Sequence, residues 1–238
     1  MQLFHSDRYI ETSVGDCPKI STPLGTLNPS VLANGDDILS KTCDHAYSDT
    51  VSDAIILQWI RPECIVELLI VSVPFQGDSD LCEPDLPLIT VMIRLMALSA
   101  NARTRFSISW SPGFSWNKCD SQSGERLESI TWEDSEWKVT VGTEDNEQLG
   151  GRSHQGEYMP RRLSRKLYDL DENVVDISRQ GVDINLPLLH SEEVIQVQFD
   201  VAIGPNRGEE DISTWLAMGS WLVSADSSNN VFVRSGVA

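Results

Sequence analysis

The chain has 238 residues, of which 40% are hydrophobic and 23% charged, and 36 Asp and Glu against 18 Lys and Arg give it a formal net charge of −18. This acidity argues against a general affinity for nucleic acid or anionic membranes, because both require cationic side chains that neutralise phosphates. It does not indicate disorder, since the apolar fraction and seven tryptophans are enough for a packed core. We therefore expect a soluble acidic protein with a single β-rich domain over residues 1–238.

The sequence contains no recognisable targeting or membrane-spanning segment. Residues 1–12 carry charges and no apolar run, unlike a secretory signal. The most apolar stretch, 54–75, is interrupted by Arg61, Pro62, Glu63 and Glu67, which excludes a transmembrane helix. The cysteine count is odd and no CxxC pair exists, so we expect all five thiols to be reduced and the protein to be cytoplasmic. The five are Cys17, Cys43, Cys64, Cys82 and Cys119.

The first 50 residues are rich in turn-forming residues, and we expect them to be irregular, with turns at Asn28-Pro29 and Asn34-Gly35. A hydrophobic block follows over 54–75. Its β-branched content and the Arg61-Pro62 interruption predict two strands rather than a helix. Segments 88–99 and 103–111 predict another pair of strands.

Strict alternation of apolar and polar residues is clearest in 104–110, 132–141 and 194–203. This period predicts strands with one buried and one solvated face. No long segment has the apolar stripe of an amphipathic helix, and 212–223 fits either a short helix or a bent strand. The sequence therefore predicts an all-β fold, an antiparallel β-sandwich of immunoglobulin-like or jelly-roll-like type with few or no long helices.

Two further patterns concern architecture. Segment 174–203 resembles the closing hairpins of immunoglobulin-like sandwiches, a likeness that covers about thirty residues and carries no function. Segments 54–113 and 174–206 share an LPL tripeptide followed by an alternating strand, which is compatible with a weak internal duplication.

The specific motifs of nucleotide-binding loops, zinc proteases and serine hydrolases are absent, and no cofactor is identified. A calcium site is the one metal hypothesis, because a loop concentrates carboxylates, which are ligands that Ca²⁺ prefers. Its candidate ligands are Asp78, Asp80, Glu83 and Asp85. The acidic segment 168–172 has the same interpretation. In both cases a solvated acidic loop is the alternative.

Basic residues concentrate in one part of the chain. Residues 151–190 hold six basic and six acidic groups, whereas acids exceed bases elsewhere. Within this island, the glycines and proline of 150–162 predict a long exposed loop. Arginine forks suit carboxylates and phosphates, so Arg152, Arg161 and Arg162 are candidate ligand-binding residues. The alternative is that these arginines pair with the protein's own carboxylates.

Two tryptophans complete the candidate ligand-binding set. Trp116 and Trp132 lie in or near polar segments, and exposed aromatic rings can stack on sugars or anchor a partner. We expect the remaining tryptophans in strand-like segments to be buried in the core. These are Trp59, Trp110, Trp137 and Trp215.

Three functions remain open. The first is a non-catalytic binding or inhibitory protein whose negative surface recognises a basic protein partner. The second is an enzyme that acts on a small or sugar-like anionic substrate at the loop around residues 152–166, with His154, Tyr158 and Arg161 as catalytic candidates. The third is a carbohydrate- or metal-binding sandwich that uses Trp116 or Trp132 and the 78–85 loop. Nucleic acid and membrane are not expected as partners.

Overall fold

A computed structural model describes residues 9–49, 54–73, 88–100, 102–124, 126–168 and 173–206. Within them the chain forms fifteen strands, two α-helices and one 3-10 turn. The strands are β1 (Tyr9–Glu11), β2 (Ile20–Thr22), β3 (Gly25–Ala33), β4 (Asp36–Asp37), β5 (His45–Asp49), β6 (Ile55–Ile60), β7 (Cys64–Val73), β8 (Leu88–Ala97), β9 (Ala102–Trp110), β10 (Lys118–Gly124), β11 (Leu127–Glu133), β12 (Trp137–Glu144), β13 (Val175–Ser178), β14 (Gly181–Leu189) and β15 (Val194–Pro205). The helices are α1 (Asn146–Gln155) and α2 (Ser164–Leu167), which follows the 3-10 turn Arg161–Leu163.

The strands form two antiparallel sheets. The larger sheet has nine strands in the order β1-β5-β6-β7-β8-β15-β12-β11-β10. The smaller has the order β13-β14-β9-β3-β2, with β4 paired to β3. Consecutive strands β8 and β9 lie in different sheets, as do β14 and β15. The predicted antiparallel sandwich with few or no long helices is therefore confirmed for the described residues.

Alternation along the strands builds the core between the sheets. Phe106 and Ile108 of β9 are fully buried, and so are Val197, Phe199 and Val201 of β15. All five belong to one cluster that contains side chains from both sheets. Because successive side chains of a strand point to opposite faces, the even positions of β15 face away from the smaller sheet.

That outward face of the larger sheet carries buried polar residues. The strand register places Gln58, Glu67, Arg94 and Gln196 in one row across β6, β7, β8 and β15. Gln58 Nε2 donates to Glu67 Oε1 at 2.5 Å, and Arg94 Nε donates to Gln196 Oε1 at 2.6 Å. We call these four residues the polar row. It ends beside the segment that follows α1.

The N-terminal segment differs from the prediction, because residues 9–49 contain β1 to β5. Asn34 and Gly35 have positive φ of 52° and 91° and form the turn of the β3–β4 hairpin, which is the structure that an Asn-Gly pair favours. Pro29 lies inside β3. One edge of β3 pairs with β2 over residues 25–27 and with β4 over residues 32–33, and Pro29 lies in the gap between these two stretches. Its missing N–H therefore leaves no partner unpaired there among the described residues.

Candidate ligand site beside the polar row

The predicted loop 150–162 is wrong in its first half, which belongs to helix α1. Asp145 caps the helix by accepting a hydrogen bond from the Gln148 backbone N–H at 2.8 Å. Gly156 ends it with φ +79°, the left-handed conformation that glycine adopts without steric cost. Gly150 is buried, and a Cβ at this position would lie 3.1 Å from the Tyr168 ring. The glycine that lowers helix propensity therefore permits close packing of α1 against the segment after α2.

The turn after α1 is fixed to the larger sheet by Tyr158. Its backbone has φ +47°, which is uncommon for a residue with a side chain. The Gln196 backbone N–H donates to the Tyr158 carbonyl at 2.9 Å. The Arg94 guanidinium carbon lies 4.2 Å from the centroid of the Tyr158 ring. Two residues of the polar row thus hold Tyr158 in place, while 47% of its surface remains exposed.

Around this turn is an open depression of about 570 Å³. It is lined by residues 156–162 together with Glu193 and Val194 at the start of β15. The floor includes Met159, whose side chain is buried. Ser153 Oγ donates to the Pro160 carbonyl at 2.6 Å, which ties the rim to α1. The backbone that lines the depression is therefore held by hydrogen bonds both to α1 and to β15.

One of its two arginines is neutralised. Arg162 Nε donates to Glu193 Oε1 at 2.6 Å, its Nη2 bonds to Glu193 Oε2, and Nη2 also donates to the Leu188 carbonyl at 2.6 Å. Burial alone would raise the pKa of Glu193. Hydrogen bonds from Arg162 and from the His190 backbone N–H outweigh it and hold this pKa below its usual value. Glu193 is therefore a carboxylate committed to Arg162.

Arg161 differs from its neighbour. Its guanidinium is exposed, and Nη2 donates to the Gln155 carbonyl at 3.2 Å. Within the part of the chain that the structure describes, no carboxylate forms an ion pair with it. Arg161 thus lines the depression as an exposed cation without an ion pair among the described residues.

Two other predicted residues of this segment do not contribute to the depression. Arg152 has a side chain that is only 10% exposed and forms an ion pair with Glu144. Its Nη2 also donates to the carbonyls of Gln196 at 3.0 Å and Glu157 at 3.3 Å. His154 is exposed on the last turn of α1 and does not line the depression. Of the three catalytic candidates, the structure brings together Tyr158 and Arg161 and leaves out His154.

The prediction that Trp132 is exposed is wrong. Trp132 pairs with Val139 on the inner face of the larger sheet and is 0% exposed. It is buried because its side chain lies on the same face of β11 as the core residues of that strand. Its ring contacts Trp110 edge-on at 5.2 Å between centroids, and its Nε1 donates to the Arg179 carbonyl at 3.0 Å. Trp132 is therefore a core residue.

The other tryptophans divide as follows. Trp59 and Trp110 are buried as predicted, but Trp137 is 36% exposed, because it occupies the first position of β12. Trp116 is half-buried, with its ring stacked against Phe114 at 6.3 Å. Trp215 and Trp221 lie outside the described residues.

The predicted calcium ligands Asp78, Asp80, Glu83 and Asp85 also lie outside the described residues, as do residues 169–172 and Cys82. Among the described residues, no group of three or more His, Cys, Asp and Glu side chains could hold a metal ion. The described cysteines, Cys17, Cys43, Cys64 and Cys119, are free thiols. None of the described helices is both long enough and apolar enough to cross a membrane.

Sequence reasoning missed the polar row. Glu67 and Arg94 each interrupt an apolar run, and in the sequence Glu67 serves only as evidence against a membrane helix. A charged residue at an outward position of a central strand also indicates a polar patch on that face of the sheet. A charged residue within an apolar strand does not show which strands are neighbours in the sheet. The polar row can therefore be recognised only in the folded structure.

No known protein family matches the sequence, and no curated protein is similar to it at a significant level. Among solved structures, a putative kojibiose phosphorylase from human microbiome is similar, with a TM-score of 0.47 and 11% sequence identity. The similarity covers 94% of this chain and 29% of that protein. The present chain thus corresponds to less than a third of the length of that structure.

Proposed function

We propose that this chain is a ligand-binding β-sandwich that recognises a small, anionic, sugar-like molecule in the depression beside the polar row. One observation carries the proposal: the exposed ring of Tyr158, held over Arg94, shares a rim with the exposed guanidinium of Arg161. An aromatic ring can stack against the apolar face of a sugar. An arginine fork matches the geometry of a carboxylate or phosphate.

The size and anchoring of the depression support this proposal. Its volume of about 570 Å³ falls in the range of small-molecule sites, roughly 300–1,000 Å³. The backbone contact between Gln196 and Tyr158 limits the movement of the aromatic ring, and a rigid site loses less conformational entropy when a ligand binds. A ligand would therefore meet a preformed platform on one side and a cation on the other.

The same contacts favour recognition over catalysis. A general acid must carry a proton and a general base must be free to accept one, whereas Glu193 is ionised, is bound to Arg162 and has a lowered pKa. His154, which the enzyme hypothesis required, lies outside the lining. We therefore propose a binding role and assign no reaction to this depression.

Recognition of a basic protein partner, the first hypothesis from the sequence, rests on the net charge of −18. The described residues include 22 Asp and Glu against 15 Lys and Arg, so much of the acidic excess belongs to the remaining residues. A reducing, cytoplasmic location remains an expectation from the cysteine pattern. We place the small-ligand function ahead of the basic partner because contacts in the described structure support it.

The test is a calorimetric titration of the full chain with glucuronate and, in parallel, with glucose. The proposal predicts that glucuronate binds at least about tenfold more tightly than glucose, because a hydrogen-bonded charge contributes on the order of 1.5–3 kcal/mol. The affinity for glucuronate should fall as salt is raised, since Arg161 is exposed to screening ions. Equal affinities for the two sugars, or no binding of either, would contradict the proposal.

A further inference from the structure

A second concave site lies on the outer face of the smaller sheet. This groove has a volume of about 580 Å³ and is lined by β3, the hairpin turn at Gly35, β9, β14 and α2. The register places Leu32, Arg105 and Asn185 side by side across β3, β9 and β14. Arg103 and Lys166 also line it. We call this set of elements the basic groove.

The cations of the basic groove are poorly neutralised. Arg105 has one ion pair, with Asp183, at the long distance of 3.9 Å. Neither the Arg103 guanidinium nor the Lys166 ammonium forms an ion pair with any carboxylate among the described residues. Acids outnumber bases two to one in the whole sequence, so three cations with no carboxylate of the described residues closer than 3.9 Å are not what composition alone would produce.

Several arginines elsewhere in the described chain are paired at close range. Arg61 Nη1 lies 2.7 Å from Asp44 Oδ2, and Arg152 and Arg162 bond directly to Glu144 and Glu193. The cations of the basic groove have only the longer contact between Arg105 and Asp183.

Alternation along β9 directs both arginines to the groove side of the sheet. Arg103 and Arg105 are exposed and lie on one face of the strand, whereas Thr104 is buried and lies on the opposite face with Phe106. The two guanidinium groups therefore belong to the same outer face of the smaller sheet.

We propose that the basic groove binds the phosphate group of a small phosphorylated molecule. A phosphate monoester carries close to two negative charges at neutral pH and offers three acceptor oxygens, which matches two arginine forks and an ammonium group. A carboxylate would supply only one charge. Leu32, Pro187 and Leu188 provide apolar surface beside the cations for the organic part of the molecule.

This second site is distinct from the depression of the proposed function. The two share no lining residue, although they approach each other where Arg162 donates to the Leu188 carbonyl. Arg161 belongs to the depression, whereas Arg103 and Lys166 belong to the basic groove. Substitutions of these residues therefore separate the two sites.

The experiment is a calorimetric titration of the full chain with glucose 6-phosphate, inorganic phosphate and glucose at pH 7.5. We expect glucose 6-phosphate to bind, inorganic phosphate to bind more weakly and compete with it, and glucose not to compete. The double substitution Arg103→Gln with Lys166→Gln should weaken glucose 6-phosphate binding by about tenfold or more. Both residues are exposed, and the thermal melt of the variant checks that it remains folded.

Arg165→Gln is the matched control, because Arg165 is the exposed neighbour of Lys166 on α2 and does not line the basic groove. It removes a positive charge nearby and should change the affinity by less than about twofold. The proposal is overturned if the double variant binds glucose 6-phosphate as the unmodified chain does. It is also overturned if Arg161→Gln, rather than the double variant, abolishes binding, since that would assign the phosphate to the depression.

Discussion

The ring of Tyr158 covers the guanidinium of Arg94, with 4.2 Å between the guanidinium carbon and the ring centroid. Burial lowers the pKa of Arg94 to about 10, although Tyr158 and Glu67 favour the charged form. At neutral pH the guanidinium is therefore protonated, and the ring lies over a cation. This contact connects the polar row of the sheet to the candidate ligand site.

The cation–π contact predicts different effects for two substitutions of Tyr158. Tyr158→Phe keeps an aromatic ring over Arg94 and removes only the hydroxyl that interacts with the guanidinium, so it should lower the free energy of unfolding by less than about 1 kcal/mol. Tyr158→Leu keeps apolar bulk but removes the ring, and should reduce the free energy of unfolding by about 1–2 kcal/mol. Urea unfolding of both variants measures the difference. Equal losses in the two variants would show that the ring contributes only its apolar surface.

Arg152 should matter for stability rather than for binding. Arg152→Met leaves the buried Glu144 carboxylate without its guanidinium partner, and breaking such a pair costs about 3–5 kcal/mol. Arg161→Gln, at an exposed side chain, should change stability by less than about 0.5 kcal/mol. Chemical denaturation of the two variants tests this contrast. A neutral Arg152→Met would mean that Glu144 is satisfied by its other contacts.

The ion pair between Arg162 and Glu193 should make stability depend on pH. The pKa of Glu193 is lowered in the folded protein, so the stabilisation is complete above the unfolded value of about 4.3 and is lost as pH falls through the folded value. Arg162→Gln should therefore cost about 1–2 kcal/mol at pH 7 and progressively less below pH ~4.3. Unfolding curves at several pH values measure this. A cost that does not vary with pH would exclude the ion pair as its origin.

Gly181 should not tolerate a side chain. It has φ +158° at the turn between β13 and β14, and a Cβ there would lie 2.0 Å from the Ile108 carbonyl oxygen. Because that atom belongs to the backbone of β9, Gly181→Ala should destabilise the protein by about 2–4 kcal/mol. Gly15→Ala is the control, since a Cβ at Gly15 meets nothing within 4 Å. Similar melting temperatures for the two variants would contradict the packing at this turn.

Strands with regular alternation could be predicted from the sequence. The runs 104–110 and 194–203 coincide closely with β9 and β15, and the interruption at Arg61-Pro62 separates β6 from β7. In these segments the β-propensity of the residues and the alternation of buried and exposed side chains both favour a strand, so the sequence pattern is sufficient to predict it. The sequence does not reveal that β8 and β9 enter different sheets, because the pairing of strands depends on contacts that are distant in the chain.

The wrong predictions for the run 132–141 and for helix α1 arise from interactions of single residues. The run 132–141 contains a turn in which Asp134 Oδ1 accepts hydrogen bonds from the backbone N–H groups of Glu136 and Trp137, both at 2.7 Å. This turn separates β11 from β12 and places Trp137 at an exposed strand end. Helix α1 was missed because Gly150 and Gly151 disfavour helices, whereas packing against Tyr168 requires a residue without a side chain.

The candidate site could be predicted only in part. The segment 150–162 predicts Tyr158 and Arg161 as neighbours in one site, and both line the depression. The ion pairs that occupy Arg152 and Arg162 join residues on different elements, and no spacing in the sequence reveals them. The distinction between an available arginine and a neutralised one therefore came from the structure.

The central claim, that Arg161 and Tyr158 form the site of an anionic sugar-like ligand, is tested most directly by comparing glucuronate affinity in three proteins. These are the unmodified chain, Arg161→Gln and Arg165→Gln, each titrated by calorimetry at the same low salt concentration. The two variants lose the same charge from exposed positions, but only Arg161 lines the depression. We predict that Arg161→Gln weakens binding by about tenfold and that Arg165→Gln changes it by less than about twofold. Equal affinities in all three proteins would contradict the account.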